Sequence, residues 1–181
     1  MEYKNTLNLP QTDFPMRAGL VQREPERLAK WYADGLYEQI QKRREGAERF
    51  LLHDGPPFAN GDVHIGTALN KILKDFILKY QSLRGKHVPY VPGWDCHGLP
   101  IEFKVTQQMR KAGNTDATPA AIRKACEEYA LGFIDKQREQ FKRLGVLGEW
   151  DKPYLTLNPE YEAEELRLFA DLVEKLSLIH I

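Results

Sequence analysis

Two histidines, a threonine and an aspartate are the side chains of this 181-residue chain whose surroundings could support chemistry. His53 and His64 bracket the run HDGPPFANGDVH, and Ile65, Gly66 and Thr67 follow directly. An apolar triplet, Phe50 to Leu52, precedes the run and a helical pattern begins near Gly66, so the order reads strand, loop, helix. A helix start presents unpaired backbone N–H groups and partial positive charge, so a glycine-containing loop that delivers the chain onto one is an anion site. Phosphate fits best, because the flanking imidazoles of His53 and His64 can each donate a hydrogen bond to a phosphate oxygen. Gly66 leaves room for a nucleotide to lie close to the backbone.

The second stretch is PGWDCHGLPIE, Pro92 to Glu102. Asp95 in it is either a turn former or a carboxylate offered to a cation. Trp94 reads as a packing residue. Cys96 and His97 are adjacent and have no second pair of ligands, which makes a poor tetrahedral metal site, so no protein-bound metal is expected. The one metal expected is magnesium arriving with a nucleotide triphosphate.

The stretch HDGPPFANGDVHIGTALNKILKDF resembles the first signature of class I aminoacyl-tRNA synthetases, a His-x-Gly-His element that holds ATP. PGWDCHGLPIE resembles the isoleucyl branch of that family in particular, and the likeness runs from NLPQTDFPMRAGL to about Lys175. The resemblance implies the amino-terminal half of a Rossmann-like α/β catalytic domain, with parallel strands and flanking helices. It implies ATP-dependent activation of isoleucine and its transfer to tRNA(Ile), with ATP and Mg2+ as substrate and no tightly bound cofactor. Such enzymes mostly position reactants and stabilise phosphate charge, without a protein nucleophile. Carried over by position, His53, Gly55, His64, Gly66 and Thr67 belong to the ATP site, with His64 and Thr67 nearest the chemistry. Pro56, Phe58, Ala59 and Asn60 resemble the wall of the amino-acid pocket, and Asp95 the carboxylate that receives the substrate ammonium. The physical logic agrees, since an aliphatic side chain wants an apolar wall and a buried ammonium wants an anion.

Thr67 departs from the signature: it stands where the second histidine belongs and offers a hydroxyl but no imidazolium charge. An alternative reading is therefore a non-catalytic nucleotide-binding module derived from a synthetase. A valyl-type synthetase is another, because one methylene separates the substrates by only about 1–3 kcal/mol, a limit usually illustrated with the isoleucyl enzyme itself. The second ATP signature, an editing insertion and an anticodon-binding region do not occur in this sequence, so a truncated piece, inactive alone, is expected.

These residues need elements to hold them. Residues 1–49 read as an arm with Pro10 and Pro15, then a helix from Pro25 carrying Leu28, Trp31, Tyr32, Leu36 and Ile40 on one face, interrupted at Gly35. Residues 50–175 read as the first half of the catalytic domain. After the loop, Leu69, Ile72, Leu73, Phe76, Ile77 and Tyr80 form the expected core stripe of a helix, with Lys71, Lys74, Asp75 and Lys79 on its solvent face. Gly85 ends that helix and HVPYVPG reads as a second strand, completing a strand-helix-strand unit. A helix is expected over Pro100 to Lys111. A longer one starts at Thr118-Pro119 and buries Ile122, Cys126, Tyr129, Phe133, Ile134, Phe141 and Leu144. Trp150 to Leu157 reads as extended, and Asn158-Pro159 opens a last helix with Tyr161, Leu166, Phe169, Leu172 and Val173 inward. Residues 176–181, LSLIHI, read as foreign sequence from a library adaptor rather than as part of the protein.

Composition bounds the function classes. Lys plus Arg equals Asp plus Glu at 26 each, so no bulk charge draws the chain to nucleic acid or to an anionic membrane. Any tRNA docking is expected mostly from regions outside this sequence. Two cysteines without a spaced framework, and no signal-like or membrane-length apolar run, point to a cytoplasmic protein without a membrane partner. The resemblance implies a monomer in the full-length form.

Overall fold

The computed structural model describes residues 3–8, 13, 17–114 and 116–175. Within them lie six α-helices and one pair of short strands: α1 Leu20–Ala33, α2 Leu36–Arg43, α3 Ile65–Leu83, β1 Gly93–Trp94, α4 Leu99–Lys111, α5 Pro119–Arg143, β2 Tyr154–Leu155 and α6 Pro159–Lys175. The foreign-looking 176–181 and most of the proline-containing arm fall outside the described residues; Tyr3–Thr6 form one 3-10 turn.

Three extended segments lie side by side, all parallel. The central one runs through His87 to Asp95. On one flank it meets the first segment at two separate bridges, Arg49↔His87 and Phe58↔Asp95, and on the other it pairs as β1 with β2 in the register Gly93↔Tyr154 and Trp94↔Leu155. The expected strand over Phe50 to Leu52 is thus reduced to a contact at its edge, Phe50 N–H donating to His87 O at 2.9 Å. Prolines explain the gap: Pro56 and Pro57 on the first segment and Pro89 and Pro92 on the central one have no N–H for a ladder. Parallel segments separated by a helix are the signature of the α/β arrangement that the sequence implies.

The core sits where α5 crosses this sheet. Trp94, Phe141 and Trp150 form an aromatic cluster with ring centroids 6.0–6.4 Å apart. Ile101 and Val105 of α4, and Ala130 and Ile134 of α5, continue it. Trp94 is fully buried, as a packing residue should be, and Cys126 is half-buried against the core. Thr118 caps α5 as its type and position require, its hydroxyl accepting from Ala121 N–H at 3.2 Å.

Four expectations need correction. Leu144, expected on the buried face of the long helix, is the C-cap beyond the last turn of α5 and is exposed. α1 begins at Leu20, so Pro25 lies inside it rather than at its first turn; that end of the helix is exposed, and water can satisfy the carbonyl that proline leaves free. On α6, Leu166, Phe169 and Leu172 face solvent instead of the core. The largest reversal is on α3, where Lys71, Asp75 and Leu78 are buried while Leu69, Leu73, Phe76, Ile77 and Tyr80 are each 44% or more exposed. Polar partners waiting on the inside turn the helix this way. Asp75 takes the Lys79 ammonium at 2.5 Å and Leu147 N–H at 3.3 Å, and Lys79 donates to Gly145 O at 2.9 Å.

Candidate functional site

The loop between the first segment and α3 carries most of the candidate residues, and the fold holds it from two sides. Ala59 N–H donates to Asp95 O and Asp95 N–H to Pro57 O, both at 2.9 Å. This parallel bridge sets the stretch Pro56, Phe58, Ala59 and Asn60 directly beside Asp95, although more than thirty residues separate them in sequence. Ala59 is fully buried and contributes backbone, whereas Phe58 is half exposed. The Asp95 side chain keeps 26% of its surface open; its Oδ1 accepts weakly from His97 N–H at 3.4 Å, with His97 Nδ1 at 3.7 Å. Asp95 thus shapes the turn, and part of its carboxylate stays open beside Phe58.

From the other side α5 braces the loop. Gln137, buried, donates from Nε2 to Phe58 O at 3.0 Å and Gly61 O at 2.7 Å, while its Oε1 accepts from Trp94 Nε1 at 2.9 Å. Gln140 takes Val63 N–H at 2.9 Å and gives to Asp62 Oδ1 at 2.7 Å, and Tyr129 reaches Asn60 O at 3.3 Å. A buried glutamine satisfied at both ends costs little and orients what it touches. Sequence reasoning missed Gln137 and Gln140. Their signal was a polar residue on an otherwise apolar helix face, one turn apart, which is easily mistaken for a solvated edge.

His64 is the N-cap of α3. Its Nδ1 accepts from Gly66 N–H at 3.1 Å and Thr67 N–H at 3.3 Å, and its Nε2 lies 3.0 Å from Thr67 Oγ1. With Nδ1 accepting, the ring proton sits on Nε2 and points to the threonine hydroxyl. His64, Gly66 and Thr67 thus form one group, but the imidazole lies over the amides that an anion would use. Gly66 leaves room for this: a Cβ there would press on the His64 ring at 3.0 Å, and the exposed ring would have to shift. His53 is exposed and stacks on Tyr154 with centroids 5.7 Å apart, and Tyr154 stacks in turn on Tyr161 at 6.1 Å.

Beneath the loop lies an ionic cluster. Asp54 pairs with Lys71, and with Lys74 at 2.8 Å, and Lys74 also reaches Gly55 O at 3.4 Å. Burial by itself pushes the Asp54 carboxyl up, but Lys71, Lys74 and the Gly93 N–H outweigh it and hold it below the usual carboxylate range. Burial pulls Lys71 below the ordinary lysine value against the opposing pull of Asp54. Tyr154 is pushed up to about 12, by burial first and then by the nearby Asp54, so its hydroxyl remains a donor. No group of three or more His, Cys, Asp or Glu among the described residues is arranged to hold a metal ion. A groove of about 510 Å³ between α1–α2 and residues 147–152 is lined by Trp31, Tyr37 and Trp150 and shares no residue with this loop.

Residues 26–180 match the family described as tRNA synthetases class I (I, L, M and V). This chain belongs to that family. Similar curated proteins are the isoleucine--tRNA ligases of Kosmotoga olearia, 56% identical over 96% of this chain and 19% of the relative, and of Thermotoga maritima, 57% identical over 97% and 19%. The isoleucine--tRNA ligase of Zymomonas mobilis is 59% identical over 90% of this chain and 18% of its own length. Among solved structures, agnB2 LeuRS of Agrobacterium radiobacter K84, in a ternary complex with tRNA and LeuAMS, superposes with a TM-score of 0.64 at 25% identity, covering 88% of this chain and 18% of that one. The class I synthetase catalytic fold is shown by that neighbour and the family match together. The chain spans about a fifth of the length of the relatives it matches.

Proposed function

We propose that this chain supplies the phosphate-contacting and amino-acid-contacting part of an enzyme that activates isoleucine with ATP and transfers it to tRNA(Ile). The observation that carries this is the Phe58↔Asp95 bridge, which sets an apolar loop beside a partly open carboxylate in a chain 56% and 57% identical to isoleucine--tRNA ligases. Asp95 receives the substrate ammonium, and Pro56, Phe58, Ala59 and Asn60 form the wall for its aliphatic side chain. His53, Gly55, Gly66 and Thr67 face ATP. His64 stabilises charge developing on the α-phosphate once it turns from the helix amides to the nucleotide. Mg2+ enters with ATP, whose triphosphate it neutralises. The tRNA is held mostly by regions outside this chain, and the full-length enzyme works as a cytoplasmic monomer.

The chain by itself does not complete aminoacylation in a charging assay with isoleucine, ATP and tRNA; turnover comparable with a full-length ligase would overturn that. Joined to the remaining four-fifths of a full-length relative, it supports isoleucine-dependent pyrophosphate exchange. In that enzyme Asp95→Asn raises the KM for isoleucine far more than that for ATP, since only the amino acid carries an ammonium. Equal losses for both substrates would return Asp95 to a purely turn-forming role. Thr67 favours a second reading, a nucleotide-binding module without catalysis. ATP binding combined with a complete lack of pyrophosphate exchange in the joined enzyme would support it.

A further inference from the structure

The amino-acid side of the loop rests on a buried charge that belongs to neither signature role. Asp54 and Lys71 are each 1% exposed. Between the bridges at Arg49↔His87 and Phe58↔Asp95 no backbone hydrogen bond joins residues 51–56 to 88–94 among the described residues. The Asp54 side chain occupies that opening. Its Oδ2 accepts Gly93 N–H at 3.0 Å and pairs with the Lys71 ammonium, which also donates to the Tyr90 hydroxyl at 3.1 Å. The Asp54 carbonyl accepts the Tyr154 hydroxyl at 2.5 Å. Gly93 is held from the other face too, since a Cβ there would lie 2.0 Å from the Tyr154 ring. Loop, central segment and β2 therefore converge on Asp54, whose carbonyl takes Tyr154 and whose carboxylate takes Gly93, two residues before Asp95.

We propose that Asp54, with Lys71 as counter-ion, is a positioning residue that fixes Gly93 and thereby aims the Asp95 carboxylate at the Pro56–Asn60 wall, setting how strongly the site recognises an amino-acid ammonium. The inference rests on the reading of Asp95 given above. An ion pair is a poor choice if burial were the only purpose, because apolar residues of the same volume fill such space equally well. What a carboxylate adds is direction: it accepts one particular N–H and stands in for the ladder bond that the prolines remove.

The test uses this chain, uniformly 15N-labelled, as wild type, as Asp54→Asn and as the double variant Asp54→Leu/Lys71→Met, which removes both buried charges together and keeps the interior filled. Amide exchange at Ala59, Gly93 and Asp95 is expected to accelerate at least tenfold in the double variant, while the amides of α5 keep their protection. Exchange that is unchanged at those three positions, or that rises equally throughout the molecule, overturns the proposal. Binding of isoleucine and of 3-methylpentanoate, the same acid without its ammonium, is then followed through the amide shifts. Wild type is expected to prefer isoleucine and the double variant to lose about tenfold of that preference; a merely structural role would weaken both ligands alike, and that result also overturns it. If wild type shows no preference, the ammonium reading of Asp95 falls, while the exchange data still decide whether Asp54 positions Gly93. Should Asp54→Asn not fold, the double variant supplies both measurements.

Discussion

The two ends of the loop between the first segment and α3 are built in opposite ways. Residues 54–59 are held by a buried ion cluster, a parallel backbone bridge and a glutamine from α5. Residues 64–67 are largely exposed and satisfy one another through contacts three residues apart or fewer. The first end is preorganised by tertiary contacts before any ligand arrives. The second is closed only by a local cap, which a phosphate can displace by offering the same two amides a stronger, charged acceptor. In the function proposed above, the rigid end is the amino-acid pocket, which gains from a fixed shape, and the exchangeable cap is the phosphate site, which must take ATP and release pyrophosphate.

The sharpest way to break this contrast is Lys71→Met, which strips the buried Asp54 of its closest cation. A loss of about 3 kcal/mol is expected in urea unfolding, at the low end for a broken buried pair because Lys74 remains within reach. Gln137→Leu comes next. It leaves the Trp94 indole N–H and the Phe58 and Gly61 carbonyls without their partner, and a loss of about 2 kcal/mol is expected by the same measurement.

Acid should separate the two ends with a smaller effect. The Asp54 carboxyl is depressed in the folded chain, so its contribution is fully present above the ordinary aspartate value of about 4 and is lost as pH falls through its lower folded value. The urea midpoint of wild type is expected to fall on acidification below about pH 4, and that of Asp54→Asn to fall less steeply over the same range. The smallest effect is expected for His64→Ala, which removes an exposed helix cap worth about 1 kcal/mol. If His64→Ala destabilised the chain as much as Lys71→Met, the exposed end would be as structural as the buried one and the contrast would fail.

Much of the helical frame was legible beforehand because its signals are local. Thr118-Pro119 opening α5, Asn158-Pro159 opening α6, the break at Gly35 and the end of α3 at Gly85 follow from cap and turn chemistry that acts within a few residues. The candidate loop and its partner Asp95 were legible as two motifs, and the structure sets their backbones side by side. What was not legible was the orientation of α3. Its apolar stripe and its charged stripe are both well formed, and periodicity identifies two faces without saying which one turns inward. Asp54, Gly145 and Leu147 decide that, and each is remote from at least part of the helix they orient. Gln137 stayed hidden for the same reason, since its partners lie more than forty residues away.

By itself the sequence determined the order of the helices, the start of α3 near Gly66, the α/β class and the presence of a loop signature and an aspartate motif. Those depend on backbone propensity, capping and residue type, which act over a few positions along the chain. Only the tertiary structure decided that Asp54 is buried beneath the loop, that Lys71 faces inward while Leu73 and Phe76 face out, and that His64 folds back over its own helix. A charged side chain takes whichever environment supplies its partners, and those partners come from segments that only folding brings together.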